Sequence, residues 1–572
     1  MHRRNFCKLL AAGAGWAALP LTSATARATG APSAIPGASS PSDFPVSAWD
    51  AVVNEAWGTA EQQAGPGTWD GVTLTAPATP GLAGEGPYQP DWDSLLNYEV
   101  PEWYRDAKFG IWAHWSPQCV PEDSDWYARN MYIQGQGQYN DQLRHYGHPS
   151  KFGYKDLCAQ WTLLNWEPEA LIERYKRAGA RLFLALANHH DGFDAWNSKH
   201  HAWNAQNIGP RRDVIGAWAA AARQQGLRFG VTVHAARNWW WFQVAHLCDK
   251  SGPLAGVPYD GHLTLPDGLG QWWQGYDPQE LYCRKHGIHE NPDAAYVRNF
   301  YDRVRDLIDQ HDPDLLYFDN TGLPLGWAGM NIGAYFYNHN LKTRGGKMEA
   351  VLNIKGVPDK LAKAVVADYE RGVTNRIMPF SWQSETCIGD WHYNRSRFLY
   401  HYYMKPAQAI HWMVDAVSKN ATFILNVPGR PDGTIDSDEQ AVLDAIGQWM
   451  QINGDAIYAT RPWTVYGEGT HEAKAGSFAG DSTGELDARD IRFTRNKHGD
   501  IVYAIFLGWP AGDFVIKNLG LAAASQSVKV RHVELLGCPH KLHWHQSAES
   551  LTIKKPLAKP CDFAYALKVS LG

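Results

Sequence analysis

The chain has 572 residues, 44% of them hydrophobic and 13% aromatic, including 27 tryptophans, and a formal net charge of −6. That length is enough for two or three full cores, and the slight acidity gives no electrostatic case for nucleic acid or an anionic membrane as partner. Most of the tryptophan must be core, although a broad apolar ring face also suits stacking against a sugar.

At the N-terminus, MHRRNFCKLLAAGAGWAALPL sets Arg3-Arg4 before Phe6 and Lys8, then a short apolar stretch, then small residues around Ala24 to Ala26. This is the pattern of a twin-arginine export signal over residues 1–28, which predicts a periplasmic or secreted protein with no membrane attachment after cleavage. The apolar stretch falls short of the ~20 residues of a spanning helix and is broken by glycine and proline. Residues 29–87 read as linker and N-terminal extension, Pro/Ser/Ala-rich at 31–45 and Gly/Pro-rich towards Pro90. The eight cysteines contain no CxxC pair, so the spacing suits neither a zinc site nor a dense disulfide framework.

Over 88–458 one unit recurs, an amphipathic helix, a stop, and a short apolar run. PEALIERYKRAG leads into ARLFLALAN, DVIGAWAAAARQQG into LRFGVTVHA, and DAAYVRNFYDRVRDLIDQH into PDLLYFDN. The segment around NIGAYFYNHNLKTRGG leads into AVLNIK, and PAQAIHWMVDAVSKN into ATFILNV. Continuous apolar strands alternating with helices predict a parallel sheet, and this many units predict a (β/α)8-like barrel; no Gly-rich dinucleotide fingerprint appears. Over 459–572 the pattern changes to short alternating runs (DIRFTR, DIVYAIFLGW, DFVIKNL, VKVRHVELLG, SLTIKKP, DFAYALKVSL), which predict an antiparallel β-sandwich.

In such a barrel the chemistry sits where strands end. FGIWAHW ends in His114, LFLALANHHDGF in His189, His190 and Asp191, LRFGVTVHA in His234, LLYFDN in Asp319, and VLNIK in Lys355. A lone strand-end histidine is usually structural, and Asp319 followed by Asn-Thr-Gly has the composition of a turn; it is the set that points to a site. A histidine-rich rim also raises a metal-dependent hydrolase. Adjacent residues in a regular strand point opposite ways, however, and metal sites commonly use His-x-His, so the pair suits a polyhydroxylated ligand better and no metal or cofactor is expected. The commonest glycoside chemistry needs two carboxyls; Asp319 is one, with Glu370 in DYERG and Glu385 in SWQSETC as candidates for the other. The remaining rivals are another glycosidase on the same scaffold and a sugar-binding protein without catalysis.

The segments PEWYRDAKFGIWAHW, DWYARNMY, NHHDGFDAWNSKHHAWN, GPRRDVIG, LLYFDN, DYERG, SWQSETC…WHYN and SKNATFILNVPGRPDGTI, spread over about 88–460, resemble glycoside hydrolase family 29, the retaining α-L-fucosidases. The resemblance implies Asp319 as nucleophile, Glu370 as acid/base ahead of Glu385, and a fucosylated oligosaccharide or glycoconjugate as substrate. It implies that His114, His189 and His190 hold the fucose hydroxyls, with Trp126 and Tyr127 beside them. Asp125 takes the place of a sugar-contacting glutamate, Tyr317 that of a tryptophan, and Lys355 that of an arginine, losing its bidentate fork. His234 resembles a residue of the branch that prefers branched oligosaccharides. Phe193, Tyr317 and the Trp239-Trp240-Trp241 run are candidates for the wall against the fucose methyl, and the acid should be the carboxyl with the raised pKa.

Overall fold

The computed structural model describes residues 81–572 apart from 288–289, 472–473 and 524–527, together with the backbone of 68–69 and 72–73. The export signal at 1–28, the 31–45 linker and most of the 29–87 extension lie outside the described residues.

Eight strands close into a parallel barrel: β1 (Phe109–Ala113), β2 (Leu182–Asn188), β3 (Arg228–Val233), β4 (Leu315–Thr321), β5 (Val351–Lys355), β6 (Val366–Glu370), β7 (Trp382–Cys387) and β8 (Ala421–Asn426), with β8 pairing back onto β1. The runs of β1 to β5 and β8 are mainly apolar because both faces are covered; all seven residues of β2 are buried. The expected helices precede their strands: α1 (Pro168–Arg177), α2 (Val214–Gln224), α3 (Ala294–His311), α4 (Trp327–Thr343) and α5 (Pro406–Ser418). The stripe of α3, Val297, Phe300, Val304, Leu307 and Ile308, is buried against the barrel. Its N-cap, Asp293, accepts from the Tyr296 N–H, and Asp312 ends it in a left-handed conformation.

The alternation fails at two successive connections. Between β5 and β6 the chain makes only a short turn at Asp359–Leu361, and no described helix joins β6 to β7. The intervening GVTNRIMPF is too short and too rich in turn formers for a helix. A segment from the C-terminal region lies along that edge instead: Gly476 pairs with Val373, the Phe478 N–H donates to the Glu370 carbonyl at 2.8 Å, and the Gly480 N–H to the Arg371 carbonyl at 2.8 Å.

Inside the barrel, alternate residues form layers. Leu182, Leu184, Leu315, Val351, Val366 and Ile424 make an apolar floor with Trp112 and Tyr317. Two residues further up the same faces stand His114, Asp319, Asp368 and, from Gln383, Glu385. The strand period of two that fills the floor therefore lifts the polar residues into the mouth.

Downstream of the barrel, two antiparallel sheets share one core. The first joins strands Arg461–Glu468, Ile491–Arg495, Ile501–Phe506, Tyr565–Leu571 and Val530–Leu535 in that spatial order, and the second joins Phe514–Ile516, Leu551–Ile553 and Trp544–Gln546. Phe493, Phe506, Phe514, Leu551 and Leu567 meet between them. Arg461–Glu468 and Trp544–Gln546 were not legible as strands: the first begins Arg-Pro and carries a register shift, and the second has no fully buried residue. The sheets are bolted to α5 by a buried network in which Asp415 accepts from Arg492 Nε at 2.6 Å and from Lys419 Nζ at 2.7 Å. The seven described cysteines are all free. Among the described residues no helix is long and apolar enough to cross a membrane.

Candidate active site

Asp319 lies on the inward face of β4, 7% exposed, with four basic side chains around it. Lys355 Nζ, at the end of the neighbouring β5, touches its Oδ1. His190 Nε2 and His234 Nδ1 lie 3.3 and 3.2 Å from its Oδ2. Burial would raise the carboxyl's pKa, but the Lys355 ammonium foremost, then Arg237, His234 and the His190 contact, hold it well below the ordinary carboxylate range. Asp319 is thus an ionised, desolvated carboxylate at the mouth of the barrel.

The same Lys355 Nζ donates to Glu370 Oε2 at 2.6 Å. Against its own burial, Asp319 and then Glu370 push the ammonium's pKa above the usual lysine range. Lys355 is therefore a fixed cation between two carboxyl groups. Glu370, with a fifth of its side chain exposed, faces the opening.

Glu385 sits deeper, 1% exposed, with Oε1 accepting from the Tyr317 hydroxyl at 3.2 Å and Oε2 without a protein partner. That hydroxyl also lies 3.3 Å from Asp368 Oδ2, and Gln383 donates to Asp368 Oδ1 at 2.8 Å. Burial, and then the charge of Asp368, raises the Glu385 carboxyl well above its ordinary value; burial pushes Asp368 up to about 7. Two adjacent buried carboxyls cannot both ionise cheaply, so this pair keeps a proton. The raised pKa expected of the acid thus falls on the buried Glu385–Asp368 pair.

The histidines form a continuous cluster. His114 lies 5.2 Å from His189 and 5.1 Å from His234 between ring centroids, and the rings of His189 and His190 are 4.2 Å apart. The expectation that His189 and His190 diverge was wrong: β2 ends at Asn188, so strand alternation no longer governs them. Gln118 donates to Asp191 at 3.0 Å and to His189 Nδ1 at 2.6 Å, which leaves the His189 proton on Nε2. The Asp319 contact favours the His234 proton on Nδ1, leaving Nε2 as an acceptor without a protein partner. Neither ring nitrogen of His114 has a protein partner either. Burial lowers the pKa of all four histidines, so they are neutral imidazoles; His190 is engaged through Nδ1 with the His234 carbonyl and through Nε2 with Asp319, which leaves His114, His189 and His234 to meet sugar hydroxyls. His114, His189 and His234 also bring nitrogens within 4.8 Å of one another, so geometry does not separate sugar from metal here as the sequence argument supposed.

The other expected residues divide. Trp126 borders the cluster, its ring 6.3 Å from His190 and 6.1 Å from Trp241. Tyr127 does not: its hydroxyl faces Asp141 and Gln142, because the chain turns into a helix after Trp126. Asp125 is spent on the loop after β7, accepting from the Trp391 and His392 N–H groups at 3.0 and 2.8 Å and lying 2.9 Å from His392 Nδ1. Tyr317 lies 5.9 Å from His234, below the mouth. Trp241 lies 5.9 Å from His190, whereas Trp239 stacks on His286 at 4.3 Å and Phe193 packs against Trp161, both in the core.

Sequence reasoning missed Trp112, Trp391 and His392. Trp112 touches His114, His234, Tyr317 and Trp391 from the middle of the barrel, and His392 stands edge-on to His114 at 4.7 Å. Trp112 is two residues before a strand-exit histidine, so its parity could have found it; His392 is placed by a loop and had no such signal.

An ionised carboxylate and a second carboxyl, bridged by a cation and walled by histidine and tryptophan at the C-terminal mouth of a parallel barrel, define a glycoside hydrolase. The family model described as alpha-L-fucosidase matches residues 78–455, and that of the alpha-L-fucosidase C-terminal domain matches 485–570. The chain belongs to the alpha-L-fucosidase family. Human tissue alpha-L-fucosidase is 27% identical over 507 residues, covering 84% of this chain and 92% of that one, and the Rattus norvegicus tissue enzyme is 27% identical over 512 residues, covering 87% and 96%. The crystal structure of Thermotoga maritima alpha-fucosidase with a mechanism-based inhibitor superposes with a TM-score of 0.63 at 26% identity, covering 84% of this chain and all of that one.

Proposed function

We propose that this α-L-fucosidase is exported and releases terminal α-L-fucose from oligosaccharides or glycoconjugates by retaining double displacement, with Asp319 as nucleophile and Glu370 as acid/base. The observation that carries the reading is Lys355, one ammonium in contact with both carboxylates. A shared cation keeps them at short range, nearer the ~5–5.5 Å of retaining enzymes than the ~6.5–9.5 Å that leaves room for a water. Asp319 attacks the anomeric carbon while Glu370 protonates the departing oxygen; water deprotonated by Glu370 then cleaves the fucosyl ester with overall retention. His189 donates to a sugar hydroxyl and His234 accepts from one, while His114 and Trp241 complete the wall. Glu385 has the raised pKa of an acid but is fully buried with Oε1 held by the Tyr317 hydroxyl, whereas Glu370 is the carboxyl that meets solvent. Export rests on Arg3-Arg4 and the apolar stretch behind them.

Asp319→Ala should reduce kcat/KM on an aryl α-L-fucoside by at least ~10³-fold, and activity within tenfold of the parent would sink the nucleophile assignment. Glu370→Ala and Glu385→Ala, each given azide and an activated leaving group, decide the acid/base. Rescue with formation of an α-fucosyl azide, the retained anomer, is expected for Glu370→Ala alone, and rescue of Glu385→Ala alone would reverse the choice.

A further inference from the structure

The segment that replaces the missing helix ends in a feature that barrel packing does not require. Phe478 is 66% exposed, an unusual setting for a phenyl ring on a segment pinned by four backbone hydrogen bonds. Its φ is +59°, a left-handed conformation that bulky side chains rarely adopt. Nothing local offsets that strain: the ring contacts no other aromatic ring among the described residues. Gly476 and Gly480 on either side hold the register, with Gly480 packed so tightly that a Cβ would meet the Trp412 ring at 1.7 Å. The backbone is thus fixed on both sides while one apolar ring is left in solvent. Strain of this kind, held by its surroundings, is a pointer to function.

The place is informative. The Phe478 N–H is bonded to the carbonyl of Glu370, so the residue that carries the ring sits on the strand end that presents the acid/base. The group that takes the proton of Glu370 is the leaving-group oxygen, and the sugar bearing that oxygen must lie on this side of the pocket. A phenyl ring has no hydrogen bond to offer; its complement is the apolar C–H face of a pyranose ring.

We propose that Phe478 is an aglycone platform, contributed by the C-terminal region, on which the sugar next to the departing fucose stacks. This rests on the reading of Glu370 as acid/base. The barrel then binds fucose, and the segment behind it selects what fucose is attached to.

Phe478→Gly removes the ring and suits the backbone, so loss of the platform is separated from loss of the turn. The parent and the variant are compared on α-L-fucosyl fluoride, whose leaving group carries no ring, and on a fucosylated trisaccharide. Expected are fluoride hydrolysis within twofold of the parent and a loss of about tenfold in kcat/KM on the trisaccharide, mostly through KM, the scale of one stacking contact. Phe478→Trp should keep the trisaccharide activity. An equal loss on both substrates would make Phe478 a support for Glu370 and overturn the proposal. No loss on either would also overturn it, as would a parent dimer that the variant loses. If the parent hydrolyses neither substrate, the functional reading has failed; trisaccharide binding to Asp319→Ala, with and without Phe478→Gly, then decides the platform alone, unchanged affinity overturning it.

Discussion

Lys355→Met removes the cation that Asp319 and Glu370 share while keeping most of the stem's volume. The Lys355 ammonium is the leading influence holding the Asp319 pKa down against burial. Two unit charges ~4 Å apart interact by about 1 kcal/mol in water and about 4 kcal/mol at the effective dielectric of a protein site. At 1.36 kcal/mol per pKa unit, losing that attraction raises the Asp319 pKa by ~1–3 units. The sign follows: a carboxyl with a depressed folded pKa is ionised across the neutral range, and a higher pKa brings the loss of the nucleophile to a higher pH. The acidic limb of kcat/KM, which reports groups on the free enzyme, should therefore move up by ~1–3 pH units. Lys355→Arg, keeping the charge, should hold the limb within half a unit of the parent by the same Coulomb argument. The assay is a pH–rate profile on an aryl α-L-fucoside with circular dichroism at each pH. A Met variant that is slower but has an unmoved acidic limb would refute the electrostatic role of Lys355.

Asp368→Asn tests the buried Asp368–Glu385 pair. A buried carboxyl whose folded pKa is raised to about 7 binds a proton that the unfolded chain has released, so it costs stability as pH rises from the unfolded pKa towards that value. The Asn variant should flatten that decline in melting temperature between about pH 4 and 7, and an unchanged slope would count against the shared proton. His189→Ala should raise KM and lower kcat/KM by ~10-fold, because one neutral hydrogen bond to the sugar is lost; an effect confined to kcat would contradict a binding role. Arg492→Ala leaves Asp415 buried beside Lys419 alone and should cost ~3–5 kcal/mol, read as a lower denaturant midpoint with kcat/KM unchanged in the folded fraction. Exhaustive chelation should leave activity intact; its loss, restored by zinc, would show that His114, His189 and His234 hold a metal.

The barrel was legible because its evidence is local. Each apolar run of β2 to β5 and β8, and each helix before it, repeats a pattern that burial on both strand faces enforces. Asp319, Lys355 and His114 were legible as strand exits for the same reason. Asp368 carries the same parity signal as Glu370, so the partner of Glu385 was present in the pattern but unread. The missing helix between β6 and β7 was partly readable from its turn-rich composition, but its replacement by residues 476–480 was not, because that contact joins segments about a hundred positions apart.

The sequence by itself determined the class of fold, the family and the end of the strand on which a carboxylate would stand, because hydrophobic period and local motifs are properties of neighbouring residues. Only the tertiary structure decided that His189 and His190 converge and that Asp125 is spent on the His392 loop. It alone showed that Tyr127 faces away and that one lysine serves two carboxylates. Those outcomes depend on where a strand stops and which loops meet above it, and closure of the barrel fixes both.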